Sequence, residues 1–265
     1  MNASLSVSRI SAVVLRDFYS MRRNPPYIVE IVFWPTLELV TWGCVSLFLA
    51  TRNFPAAVAG LLGAVLLWQM TSRPQGDLAR CFLEDVWARN LVNLYVSPLS
   101  TAEHLAGMVL CGLARVAAST GVLAVLAWVL YGFGVFALGP ALLPYAVTLL
   151  AMAWALGVFA IGLVVRFGGS AQAFAWLLAF AVQPFAAVFY PVSVLPGAVQ
   201  AMAQAVPASY IFEDMRAVLA GAHPSGARLA LAALLDLVYL AGATAFLYRG
   251  LRHARISGRL SRFYQ

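Results

Sequence analysis

Long apolar runs separated by short polar interruptions divide the chain. A membrane-spanning helix takes about 20 mainly apolar residues. Six runs approach that length: 27–51, 56–72, 104–131, 141–165, 170–190 and 228–249. The second is short, which leaves a re-entrant path open for it. The gaps at 52–55 and 166–169 read as tight turns, and the gap at 132–140 carries Gly and Pro. Ahead of the first run, residues 5–23 alternate with a helical period. Val7, Ile10, Val13, Val14, Phe18 and Met21 share one face, and Arg9, Arg16 and Arg23 line its flank. This predicts an amphipathic helix lying in the inner interface. The other reading, an early start to the first span, meets a break signal at Arg22, Arg23, Asn24, Pro25 and Pro26. Two connections are long, an inner one at 73–103 and an outer one at 191–227. The pattern predicts an all-α integral membrane protein with six transmembrane helices.

Composition agrees. The chain is 63% hydrophobic and 10% charged, against about 25% charged in soluble domains. All seventeen basic residues are Arg. A phosphate-binding P-loop requires Lys, and so does Schiff-base chemistry; the chain by itself is therefore no P-loop ATPase. The net charge of +7 is distributed for orientation, not for nucleic acid, which is not an expected partner. With the N-terminus inside, Arg9, Arg16, Arg22, Arg23, Arg73, Arg80, Arg89, Arg166, Arg249, Arg252, Arg255, Arg259 and Arg262 fall inside, and Arg52, Arg216 and Arg228 outside. Thirteen against three, with Arg115 within a span, predicts that both termini are cytoplasmic. The tail 250–265 reads as a basic segment suited to anionic lipid headgroups. The N-terminus has no apolar core with a cleavage site and reads as retained. Cys44, Cys81 and Cys111 stand apart and suggest neither a disulfide framework nor a metal site. His104, His223 and His253 are not spaced as metal ligands.

The inner connection contains EDVWARNLVNLYVSPLS, residues 84–100. It reads as helix from Gly76 to Tyr95, stopped before Pro98. Glu84, Asp85, Arg89, Asn90 and Asn93 form its polar side; Phe82, Val86, Leu91 and Leu94 form its apolar side. On physical grounds alone this is either a solvated amphipathic loop or a rod along the inner surface that presents hydrogen-bonding groups to a cytosolic protein. The outer connection contains PFAAVFYPVSVLPGAVQAMAQAVPASYIFEDMR, residues 184–216. Together these blocks resemble the ABC-2 family of ATP-binding-cassette transporter permeases, over nearly the whole chain, read as one transmembrane domain 1–265.

The resemblance implies a helix at 5–23 contacting an ATPase, spans one and two at 27–72, a coupling helix within 73–103, spans three to five at 104–190, a re-entrant outer tract at 191–227 and span six at 228–249. It implies that Glu84, Asp85, Arg89, Asn90 and Asn93, with Arg166 in the turn Arg166-Phe167-Gly168-Gly169-Ser170, meet a separately encoded cytosolic ATPase, which binds ATP and magnesium. This chain would hold no cofactor, metal or catalytic residue. Pro191, Pro196, Gly197 and Pro207 punctuate the outer tract as the family pattern implies, and with Glu213, Asp214 and Arg216 would form an outer gate. A second permease copy, alike or homologous, and membrane lipids are the other implied partners, in a bacterial-type inner membrane. The longer N-terminal wording of polysaccharide-exporting members is absent.

Charges at membrane depth face a partner or a wet cavity. Glu38 lies about 15 Å, Arg115 about 16 Å and Asp236 about 19 Å from the inner ends of their helices, at 1.5 Å per residue. Arg115 is thus expected to pair with Glu38 or Asp236, either structurally or along a substrate path. Glu30 lies close to Arg22 and Arg23, and Pro35 is expected to kink the first span. Trp34, Trp42, Trp68, Trp128, Trp154 and Trp176 suit lipid anchoring or an aromatic cage for a cation. Two competing functions remain. A lipid-modifying enzyme finds no Gly-x-Ser-x-Gly, His pair or acidic cluster here. An ion-coupled secondary transporter would use Glu38, Arg115 and Asp236 as its relay.

Overall fold

The structure is a computed structural model that describes residues 6–51, 56–88 and 90–256. Among these residues every regular element is helical. Helix α1 (Val7–Arg22) buries Val13 and packs across α5 (Thr101–Tyr131). Their approach depends on Gly107, where an added Cβ would sit 2.6 Å from Val13 Cγ1. Helix α2 (Pro25–Thr51) contains Pro35 and lies against α3 and α5.

Helix α3 (Ala56–Trp87) corrects the expected division of 56–72 from the inner connection: one helix continues through Pro74 to Trp87. Proline removes one backbone hydrogen bond, but the flanking turns are held by apolar packing of Leu66 and Leu67 above and Leu78 and Phe82 below. The helix ends later than that boundary and earlier than Tyr95: Ala88 is in a turn, and α4 (Leu91–Val96) is a separate short helix capped by Asn90. Ser100 and Glu103 form a capping box that starts α5, and Gly132, at φ 66°, ends it.

Helix α6 (Leu142–Phe167) is the central post. Of its membrane-crossing window 61% is buried, against 22% for α2 and 17% for α10 (Gly226–Ile256), whose outer faces suit lipid. Small residues set its packing: a Cβ at Gly157 would meet Leu78 of α3 at 2.8 Å, and one at Gly162 would meet Phe246 of α10 at 2.6 Å. Helices without a hydrophobic drive between them associate through such close approaches.

Among the described residues, four helices are long and apolar enough to cross a membrane, within Ile31–Thr51, Thr101–Tyr131, Val135–Phe167 and Gly226–Ala254. The run at 170–190 is not one long helix: α7 (Gln172–Val182) has 11 residues and gives way to turns at 183–187. The outer tract folds into α8 (Gly197–Gln204) and α9 (Pro207–Leu219). Arg89, Arg52 and the tail residues 257–265 lie outside the described residues, as does the side chain of Glu30.

Candidate functional site

Helices α1, α3 and α5 are joined by buried charge near the start of α5. On α3, Asp77, Cys81 and Asp85 recur every fourth residue and so share one face. On α5, Glu103, His104, Cys111 and Arg115 occupy the facing stripe, and α1 supplies Arg9, Arg16 and Asp17 from the side.

Glu103 forms the first tie. It is fully buried; its Oε1 accepts from Ser6 N at 2.8 Å and from Arg9 Nε at 2.9 Å and Nη2 at 2.7 Å. Its Oε2 accepts from Ser100 N and Oγ, both at 2.9 Å. The helix cap thus doubles as the anchor for the start of α1. Asp85 forms the second tie: Arg16 Nη1 stands 2.8 Å from Oδ1, and Arg16 Nη2 and His104 Nε2 each 3.1 Å from Oδ2. Arg115 forms the third. Its Nη1 lies 3.4 Å from Asp17 Oδ2, its Nε 3.5 Å from Asp77 Oδ2, and Nη2 donates to Cys81 Sγ at 3.0 Å. Cys81 in turn donates to Asp17 Oδ1 at 3.4 Å.

A cavity of about 550 Å³ opens beside this cluster, between α1 and the α3–α4 elbow. Arg16, Ser20, Asn24, Glu84, Trp87 and Asn90 are among its lining residues. Glu84 is partly exposed and pairs with Arg80 at 3.4 Å. Burial pushes its carboxyl above the ordinary range, and the Arg80 guanidinium opposes that rise. Asn93 is exposed and its Nδ2 donates to Asn90 Oδ1 at 3.3 Å.

The predicted coupling residues therefore separate. Glu84, Asn90 and Asn93 remain near the surface. Asp85 is 5% exposed and spent on Arg16 and His104, so it is an internal tie and not a surface contact. Arg166 ends α6, exposed, with its guanidinium 5.7 Å from the Phe167 ring centre and 5.9 Å from that of Phe246.

The expected pairing of Arg115 with Glu38 or Asp236 is corrected. Arg115 goes to Asp17 and Asp77. Glu38 accepts instead from Gln69 Nε2 at 2.6 Å. Both carboxylate oxygens of Asp236 are buried without a hydrogen-bond partner among the described residues. The physical reason is that α3 runs on as helix and carries Asp77 to the level of Arg115, while α1 docks Asp17 from the side. The sequence reading overlooked Asp17, Asp77 and Glu103, and named Cys81 and His104 without giving them a role; the four-residue spacing of Asp77, Cys81 and Asp85 was the available signal.

After α7, Pro191 precedes a 3-10 turn at Val192–Val194, Pro196 and Gly197 open α8, and Pro207 opens α9. Glu213 Oε1 accepts from Val192 N at 2.7 Å and from Arg216 Nη2 at 3.0 Å. Arg216 Nη1 donates to the carbonyls of Ala187 at 3.0 Å and Val188 at 3.3 Å. Ala187 has φ 51°, a region sparse for non-glycine residues, and the Arg216 contacts brace it. Asp214 is 1% exposed. It accepts from Tyr145 Oη of α6 at 2.6 Å and from Ser225 N at 3.0 Å, and Arg228 of α10 lies 3.5 Å away. These side chains join α6, α9 and α10 and fix the entry to the last helix; Tyr145 is a further residue that the sequence reading overlooked.

The model of a family described as ABC-2 type transporter matches residues 8–220, from α1 to the end of α9. No curated protein matches the chain.

Proposed function

Because the chain belongs to the ABC-2 type transporter family, we propose that it is the permease subunit of an ATP-binding-cassette exporter. It moves a hydrophobic or amphipathic molecule across the bacterial-type inner membrane. ATP and magnesium are bound and turned over by a cytosolic ATPase on another chain. The permease acts as a pair with a second copy or a homologue, and both its termini are cytoplasmic. In this reading α3 and the α7 segment with 183–190 complete six crossings, together with the four long apolar helices.

The observation that carries the reading is the ionic union of α1, α3 and α5 beside the α3–α4 elbow. A force applied at the elbow moves three helices as one body, which is how a rigid lever passes on work. Glu84, Asn90 and Asn93, with Arg89, contact the ATPase; Asp85 positions them by holding α3 to α1 and α5. Arg166 supplies a second inner contact. The outer residues Pro191, Pro196, Gly197, Pro207, Glu213, Asp214 and Arg216 close the outer mouth. The ion-coupled alternative needs Glu38, Arg115 and Asp236 in one relay, whereas Arg115 is held by Asp17 and Asp77.

Co-purification tests this assignment. An ABC ATPase co-expressed with this chain from its own operon is expected to elute with the wild-type permease. It is expected to be lost from the combined variant Glu84→Arg, Asn93→Arg, while the permease itself still elutes folded. Full retention of the ATPase by the folded variant contradicts the assignment of these residues.

A further inference from the structure

A second cavity, of about 570 Å³, is lined mainly by α6 and α10, with residues 205–207 of the α8–α9 link at one end. That is within the roughly 300–1,000 Å³ of small-molecule sites. Its lining is apolar apart from Tyr239, whose hydroxyl donates to the Ala205 carbonyl at 2.6 Å and so fastens the link to α10. At the other end Phe159 of α6 and Phe246 of α10 stand 5.3 Å apart between ring centres. Val238 on the rim is 58% exposed. Gly242 leaves a gap in the wall, since an added Cβ there meets nothing within 4 Å. The cavity is an apolar groove on the flank of two helices that are long and apolar enough to cross a membrane.

Positive charge gathers at the Phe246 end. The Arg166 guanidinium lies 5.9 Å from the Phe246 ring centre. Arg249 follows Phe246 by three residues, which puts the two on neighbouring turns of one side of α10. Both arginines are exposed, and among the described residues neither has an ion pair. No acid occurs on α6, nor on α10 after Asp236. A guanidinium seated on a ring face keeps its N–H donors, and their fork matches phosphate oxygens. Spacing then selects the ligand. Tyr239 to Arg249 spans about 15 Å at 1.5 Å per residue, half of the roughly 30 Å hydrocarbon core. Groove and cations are therefore spaced as the acyl chain and headgroup of a lipid in one leaflet. A free anion leaves the groove unused.

We propose that this flank binds an anionic phospholipid, with one acyl chain in the groove against Leu156, Phe159, Gly242 and Phe246 and its phosphate against Arg166 and Arg249. The lipid is a bound component of the protein, not its cargo. It joins α6, α10 and the α8–α9 link, and so braces a last helix whose membrane-crossing window is only 17% buried by protein. Arg166 has donors enough for a phosphate beside its proposed ATPase contact. Binding needs only that α6 and α10 cross a membrane.

The purified full-length chain, without an ATPase, is titrated in detergent with dioleoyl phosphatidylglycerol, dioleoyl phosphatidylcholine or inorganic phosphate, and bound adducts are counted by native mass spectrometry. Phosphatidylglycerol is expected to give a saturable adduct, phosphatidylcholine with the same chains a weaker one, and phosphate none. Arg166→Gln with Arg249→Gln is expected to weaken phosphatidylglycerol binding about tenfold, to the level of phosphatidylcholine, as loss of two surface cations implies. Arg22→Gln with Arg23→Gln removes the same charge from the end of α1 and is expected to retain most of the binding. Gly242→Phe fills the groove and is expected to weaken both lipids alike. If the Arg166 and Arg249 pair does not fold, Gly242→Phe, at a position with open space, carries the test. Equal loss from the two arginine pairs overturns the proposal, as does undiminished lipid binding by folded Gly242→Phe, or a phosphate adduct lost with Arg166 and Arg249. Failure of the permease reading leaves these results unchanged, because no ATPase and no transport enter the measurement.

Discussion

Arg115 shows what a single residue does in this fold. It is 7% exposed and stands between two acids from different helices. Removing one partner of a buried ion pair costs about 3–5 kcal/mol, because the other charge stays behind without compensation. Arg115→Met is therefore expected to lower the melting temperature of the purified chain markedly. The triple change Arg115→Met, Asp17→Asn, Asp77→Asn should recover part of the loss, since no net charge is then stranded. A melting temperature unchanged by Arg115→Met contradicts the pairing. That Arg115 needs a partner was legible from its position in an apolar run. Which partner was not legible, because counting depth along separate helices ignored Asp17, assigned to an interface helix, and Asp77, assigned to a connection. Glu38 and Asp236 were the acids in view; Glu38 accepts from Gln69, and Arg115 is held by Asp17 and Asp77.

At the scale of elements, most helices follow from apolar run length and from the stop signals between runs. The exceptions are informative. Helix α3 passes through Pro74 because Leu78, Phe82 and Leu83 on its inner half are buried against the core; packing outweighs one lost hydrogen bond. The run at 170–190 is apolar enough for a span but yields an 11-residue helix. The turn after it is held by Arg216, more than 20 residues further along the chain, a tie that run length cannot reveal. The contact between α6 and α10 is set by Gly162, where a larger side chain would run into Phe246 and the α10 backbone. Overfilling such a contact costs about 1–3 kcal/mol. Gly162→Leu is expected to reduce the yield of monodisperse protein in gel filtration, whereas Gly121→Leu, at a position where an added Cβ meets nothing within 4 Å, leaves it unaltered. Equal yields from the two variants contradict this account of the packing.

At the scale of the whole molecule, the chain is an all-helical, multi-pass membrane protein of the ABC-2 type transporter family. One cluster of ion pairs stitches α1, α3 and α5, and a second, of Asp214, Glu213 and Arg216, stitches α9 to its neighbours. The sequence displayed the two long connections that contain much of this chemistry. It did not display that α1 closes the inner cluster, since Arg9 and Arg16 are as well explained by lipid headgroups until Glu103 and Asp85 are placed beside them. The central claim is that the chain has no source of energy of its own and receives work through that inner cluster. Uptake of a fluorescent amphipathic probe into inside-out proteoliposomes tests it most directly, with the permease present alone and then together with its ATPase. The account predicts accumulation only when both the ATPase and ATP are present, and none from the permease alone under an imposed proton gradient; gradient-driven accumulation by the permease alone contradicts it.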